Sequence, residues 1–88
     1  MDNMSLSTAD FRPPTNPQQT AAFIRKLHML GLQKHEVEVL VERFVDQRTF
    51  AEIADTHNYI APMVAHRVYK KALEKAKAAY LYLSKGRN

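Results

Sequence analysis

The 88-residue chain contains no cysteine and only two glycines. Without cysteine there is no disulfide framework and no thiolate zinc site, so a small domain must rely on its packed core alone. Scarce glycine, with Ala, Leu, Glu, Lys and Val frequent, favours helix over sheet. No apolar run approaches the roughly 18 residues that a membrane span requires. The N-terminus lacks the basic flank and apolar stretch of a signal peptide. These absences point to a cytoplasmic protein of one small domain with no membrane partner.

What is present is a lopsided charge. Apolar residues make up 45% and charged residues 25%, and the net charge is +4. Residues 62–88 hold Arg67, Lys70, Lys71, Lys75, Lys77, Lys85 and Arg87 against a single acid, Glu74. Residues 49–61 hold only Glu52 and Asp55. The positive charge is therefore concentrated in the last third. That suits a polyanionic partner, although a solvated helix face would look the same.

Residues 1–16 lack periodicity, carry a proline pair, and read as a flexible arm. A domain of four helices is expected over 17–88. The first starts with Asn16 as N-cap, Pro17 at the first helical position and Gln19 three residues on, and ends at Gly31. Its apolar stripe is Ala22, Phe23, Leu27 and Leu30, flanked by Ile24. The second covers 34–46, with Val37, Leu40, Val41, Phe44 and Val45 on one face and Glu36, Glu38, Glu42 and Arg43 off it. The third is short: Thr49 and Glu52 form a T-x-x-E capping box, and Phe50, Ile53 and Ala54 face the core. The fourth is long, from Ala61 to Lys85.

Residues 49–73 thus read as a helix-turn-helix, an element that many proteins place in the major groove of DNA. Ala54 supplies the small residue where the helices cross, and Asn58 tolerates the positive φ of the turn. Val64 and Val68 supply inward-facing branched residues one turn apart. Ala61, Pro62, Ala65, His66, Tyr69 and Lys70 are then expected to point outward.

Glu52-Ile53-Ala54, Val64 and Arg67-Val68-Tyr69-Lys70 resemble the promoter-reading C-terminal domain of bacterial sigma factors, as does the preceding Glu36–Phe44 segment. The recognition segment is also similar to that of small Kor-type plasmid repressors. The resemblance implies that Ala61, Pro62, Ala65, His66 and Tyr69 lie at base edges. It implies that Thr49 approaches a phosphate and that Arg67 and Lys70 follow the backbone. Two positions depart from it: Ile60 stands where Ser is usual, and His57 where Leu is usual. The expected reading face has few strong donors, which limits bidentate readout and leaves thymine-methyl contact, with His66 and Tyr69 as polar readers.

His28, His35, His57 and His66 show no i, i+4 pairing, so no metal site is expected. No Ser/His/Asp or Cys/His arrangement and no Gly-rich phosphate loop is present, so neither catalysis nor a cofactor is expected. On the long helix, Val64, Val68 and Ala72 form one stripe and Tyr69, Leu73, Ala76 and Tyr80 a second. The second needs a cover: the first helix, the arm, or a second copy. The homodimer is the favoured reading, with Leu73, Ala76, Tyr80 and Leu83 at its interface, because two modules multiply affinity on a palindrome. The sequence therefore predicts an all-α helix-turn-helix domain that binds double-stranded DNA as a small repressor of phage or plasmid type. Two alternatives stand beside it. One is a module of the same fold that binds RNA polymerase, a sigma factor or another regulator. The other is a non-specific nucleic-acid binder.

Overall fold

The computed structural model describes the backbone of residues 12–86 and the side chains of residues 12–79. Residues 1–11, most of the expected arm, lie outside that range. Among the described residues there are four helices and no strand: α1 (Pro17–Met29), α2 (Lys34–Phe44), α3 (Phe50–Thr56) and α4 (Pro62–Gly86). The second helix stops two residues short of the expected end, and the fourth begins one residue later than expected.

Local chemistry explains most of these boundaries. The Asn16 side chain accepts from Gln19 N–H at 2.8 Å, so Asn16 is the N-cap of α1. The Gln19 side chain does not close a reciprocal box. Its Oε1 accepts instead from the Thr15 N–H and hydroxyl, both at 3.0 Å. α1 ends in a Schellman turn: Gly31 has φ +96°, Leu32 N–H donates to Leu27 C=O at 3.2 Å, and Gly31 N–H to His28 C=O at 3.1 Å. Leu27 and Leu32, the two residues this turn brings together, are both buried in one cluster.

α3 is set at its start by the full Thr49/Glu52 box: Glu52 N–H donates to Thr49 Oγ1 at 3.1 Å and Thr49 N–H to Glu52 Oε1 at 2.9 Å. The Thr49 N–H holds the Glu52 carboxyl below its ordinary pKa against desolvation, with the Thr49 hydroxyl and Arg48 adding in the same direction. α3 leaves through a second Schellman turn. Asn58 takes φ +60°, Tyr59 N–H donates to Ala54 C=O at 2.8 Å, and Asn58 N–H to Asp55 C=O at 3.3 Å. A third left-handed residue, Gln47 at φ +58°, lies in the α2–α3 connection and carries no sequence signal for that conformation.

Two apolar clusters hold the helices together. The first joins Phe23, Leu27, Leu32, Val37, Leu40, Ala72 and Ala76. The second joins Val39, Ile53, Ala54 and Ala65. α2 serves both: Val37 and Leu40 face one and Val39 the other. Tyr69 packs against both and bridges them. The stripe expected on α1 is shifted, with Phe23 and Leu27 buried and Ala22 exposed.

α4 serves the two clusters in turn along its length. Its first half packs through Ala65 onto α2 and α3, and its second half through Ala72 and Ala76 onto α1 and α2. This corrects one residue of the expected dimer interface: Ala76 is fully buried inside the domain, while Leu73 is partly buried against the same cluster. The side chains of Tyr80 and Leu83 lie outside the described residues.

Glu36, expected off the buried face of α2, is 4% exposed. Its carboxylate accepts from Gln33 N–H at 2.9 Å and from Lys75 Nζ at 2.9 and 3.1 Å. Desolvation alone would raise its pKa. The Gln33 N–H and the Lys75 ammonium, with a smaller contribution from His35, outweigh it and lower the value. The pair ties the start of α2 to the middle of α4.

Candidate nucleic-acid interface

The candidate surface begins at the α3–α4 turn. Ala61 precedes Pro62 and has no side-chain oxygen to cap α4; Val64 N–H instead closes a turn on Ala61 C=O at 3.0 Å. The turn is braced from α2. His57 Nε2 lies 3.1 Å from Glu42 Oε1, its Nδ1 3.9 Å from Glu38 Oε1, and its ring stacks on Tyr59 with centroids 5.4 Å apart. His57 therefore holds the turn with a polar clamp. Desolvation, then Glu42 and Glu38, raise the Tyr59 pKa, so its hydroxyl stays protonated at neutral pH.

The start of α3 is braced by Arg43. Its guanidinium lies over the Phe50 ring at 4.5 Å and donates to Arg48 C=O at 3.0 Å. The Phe50 ring in turn meets His66 edge-on at 5.0 Å and Tyr69 at 5.7 Å. One aromatic ring thus gathers a cation from α2 and two side chains from α4. Burial raises the Tyr69 pKa, with Arg43 opposing, so Tyr69 too presents a neutral hydroxyl.

The expected reading residues separate by phase around α4. Pro62, His66, Arg67 and Lys70 are exposed, as is Thr49 at the start of α3. Ala61 and Tyr69 are half-buried. Ala65 is fully buried between Val39, Ile53 and Ala54 and cannot touch a base edge, which corrects its placement on the outward face. The inward phase is set by alanines: Ala65, Ala72 and Ala76 are buried, whereas Val64 is only half-buried. Where helices approach closely, small residues fix the contact and larger branched ones sit at its margins.

Three residues join the exposed face that the sequence reading did not place there. Ile60 is 92% and Met63 61% exposed, both unusual for large apolar side chains, and Lys71 is exposed as well. Arg67 Nη2 lies 3.6 Å from Met63 Sδ, so these two side chains run together along the helix. At 100° per residue, Pro62, Met63, His66, Arg67, Lys70 and Lys71 fall on one half of the helix circumference. Phasing on the alanines would have found this face. Lys75 is different: it is engaged with Glu36.

Among the described residues no group of three His, Asp or Glu side chains is placed to hold a metal ion. None of the described helices is long and apolar enough to cross a membrane. No protein-family model, no curated protein and no solved structure matches this chain.

Proposed function

We propose that this protein is a sequence-specific transcription regulator that binds double-stranded DNA, a small repressor of phage or plasmid type. In this reading α3, the Asn58 turn and α4 form a helix-turn-helix, and the first turns of α4 enter the major groove. The observation that carries it is the exposed half of α4. Pro62, Met63, His66, Arg67, Lys70 and Lys71 all face solvent, and no acidic residue occurs from Thr56 to Leu73. A helix that is well seated on its inner side, cationic on its outer side and free of like-signed repulsion to phosphate suits a polyanionic groove. Thr49 is exposed at the start of α3, where its hydroxyl would approach a phosphate. Repression follows from occupying a promoter. A homodimer on a palindromic site would raise the affinity of so small a module, and its contact surface would exclude Ala76.

A second reading has its own observation. Ile60 and Met63 form an exposed apolar tip at the head of α4, which favours docking on RNA polymerase, a sigma factor or another regulator.

A salt titration separates the readings. Binding of the full chain to random duplexes and to duplexes selected from a random pool is measured from low to physiological salt. Specific regulation predicts tighter binding to selected duplexes and a log–log salt slope of about −0.9 per phosphate contacted. Lys70→Ala should weaken binding to all sequences alike and reduce the slope by about one, whereas Lys75→Ala should leave the slope unchanged. Equal affinity for every duplex would leave only a non-specific binder. No binding at low salt would remove the DNA reading in favour of the protein partner.

A further inference from the structure

Ile60 and Met63 are the most exposed large apolar side chains beside α4, and neither belongs to the apolar clusters of the described fold. They stand where α4 begins, the end that a groove-entering helix presents first to the base edges. Their surroundings are cationic: Arg67 lies against Met63 Sδ at 3.6 Å, Lys70 and Lys71 follow within two turns, and the first acid along α4 is Glu74. An apolar tip whose Met63 side runs into a cationic helix face, with Glu38 and Glu42 behind it at Tyr59, matches one chemical feature of the major groove. There the C5-methyl group of thymine projects as an isolated apolar knob among hydrogen-bonding edges, lined on both sides by phosphates.

We propose that Ile60 and Met63 read thymine methyl groups, making this protein selective for thymine at the positions beneath the head of α4. The inference rests on the DNA-binding reading given above and sharpens it: the specificity is apolar and lies in methyl groups. It also replaces Ala65, which is buried, with residues that reach solvent. The Arg67 guanidinium, folded along Met63, keeps the thioether flanked by positive charge and sets the two methyl-reading groups down between phosphates.

The test uses the full chain and its own selected duplexes. The tightest duplexes from a random pool are resynthesised with deoxyuridine in place of thymidine, one position at a time. This removes a single methyl and leaves every Watson–Crick bond intact. Binding should fall about fourfold at each contacted thymine, the loss expected for one buried methyl, and stay level at thymines elsewhere in the same duplex. In Met63→Ala and Ile60→Ala the thymine–uracil difference should close at the corresponding position, while the helical circular dichroism signal is retained because both sites are exposed. Specific binding with no thymine–uracil difference at any position would overturn this inference and leave the DNA reading standing. So would selected sites without thymine under α4. Loss of all DNA binding at low salt would overturn both, and retention of a purified regulator or polymerase subunit that Ile60→Ala abolishes would assign the apolar tip to protein.

Discussion

The Glu36–Lys75 pair makes a prediction whose size and pH dependence are both open to test. Glu36 is buried, accepts from the Gln33 N–H, and receives the Lys75 ammonium at 2.9 Å, while the Lys75 side chain remains 42% exposed. Glu36→Gln keeps the shape and part of the helix-start hydrogen bonding but removes the charge. Charge-assisted hydrogen bonds contribute about 1.5–3 kcal/mol each. Lys75 regains water when released, so the net cost should be at the low end, about 1.5 kcal/mol. Glu36→Ala also loses the bond to Gln33 N–H and should cost about 2.5 kcal/mol, or roughly 10 °C in Tm for a domain of this size.

Lys75→Met leaves a buried carboxylate with only a backbone donor, and here the pH dependence should weaken. In the native protein the folded pKa of Glu36 lies below its ordinary 4.5. Its stabilisation is therefore complete above that value and is lost as pH falls through the lower folded pKa. Without Lys75, desolvation is opposed only by the Gln33 N–H and His35, so the folded pKa should move up from its lowered value. The stability that Glu36 contributes above its pKa should shrink accordingly, and the loss on acidification should become shallower. Urea unfolding followed by circular dichroism at several pH values between 3 and 7 measures this. The four-member set of wild type, Glu36→Gln, Lys75→Met and the double variant isolates the pair. A coupling energy below about 0.3 kcal/mol, or a Lys75→Met profile parallel to the wild type, would show the carboxylate to be solvated and the reasoning wrong.

Further outcomes follow from backbone and packing. Gln47→Gly should stabilise the domain by about 0.5–1 kcal/mol in chemical denaturation, because Gln47 holds a left-handed conformation that a glycine adopts freely. Asn58→Gly should gain less than Gln47→Gly, since asparagine already tolerates φ +60°. Ala65→Leu should cost about 1–3 kcal/mol by overpacking the contact with Val39, Ile53 and Ala54, seen as a lower urea midpoint. A variant of unchanged stability with altered base preference would return Ala65 to the outer face. Thr49→Ala should cost about 1 kcal/mol through loss of the cap on α3, measured in the same way.

The helices were legible because their signals are local. Asn16, Gly31, Thr49, Glu52 and Asn58 each act within a turn of themselves, and each marks a boundary in the structure. What was not legible is long-range. Glu36 looks like a solvent-facing acid until Lys75, 39 positions later, is folded back onto it. Val39 lies off the stripe formed by Val37 and Leu40, and its burial has meaning only once α3 and α4 close over it. Gln47 takes its unusual φ because the α2–α3 connection must turn there, with Arg48 N–H bonding Glu42 C=O at 2.9 Å, and no intrinsic preference announces it.

The candidate face shows the same division. His66 and Lys70 are exposed as helical spacing predicts, and Arg67, placed there only by the family resemblance, is exposed as well. Ala65 was misplaced because alanine has no hydropathy strong enough to declare its side of a helix. The valines pulled the predicted phase round by a fraction of a turn, which also hid Met63.

The two-sided role of α2 has a consequence for how the chain is made. Its Val37–Leu40 side is completed by Ala72 and Ala76, and its Val39 side by Ile53, Ala54 and Ala65. During synthesis, α1 and α2 emerge first but have only each other to cover them. The Val39 side closes once residue 65 is available, while the opposite side stays open for about another two to three turns of α4. Until then a strip of leucine, valine and phenylalanine is exposed on the nascent chain. The last segment needed to seal it is the alanine-rich, strongly helix-forming run from Lys70 to Ala79. The same run that gives the protein its positive charge is thus the latch that ends its exposure to chaperones and proteases.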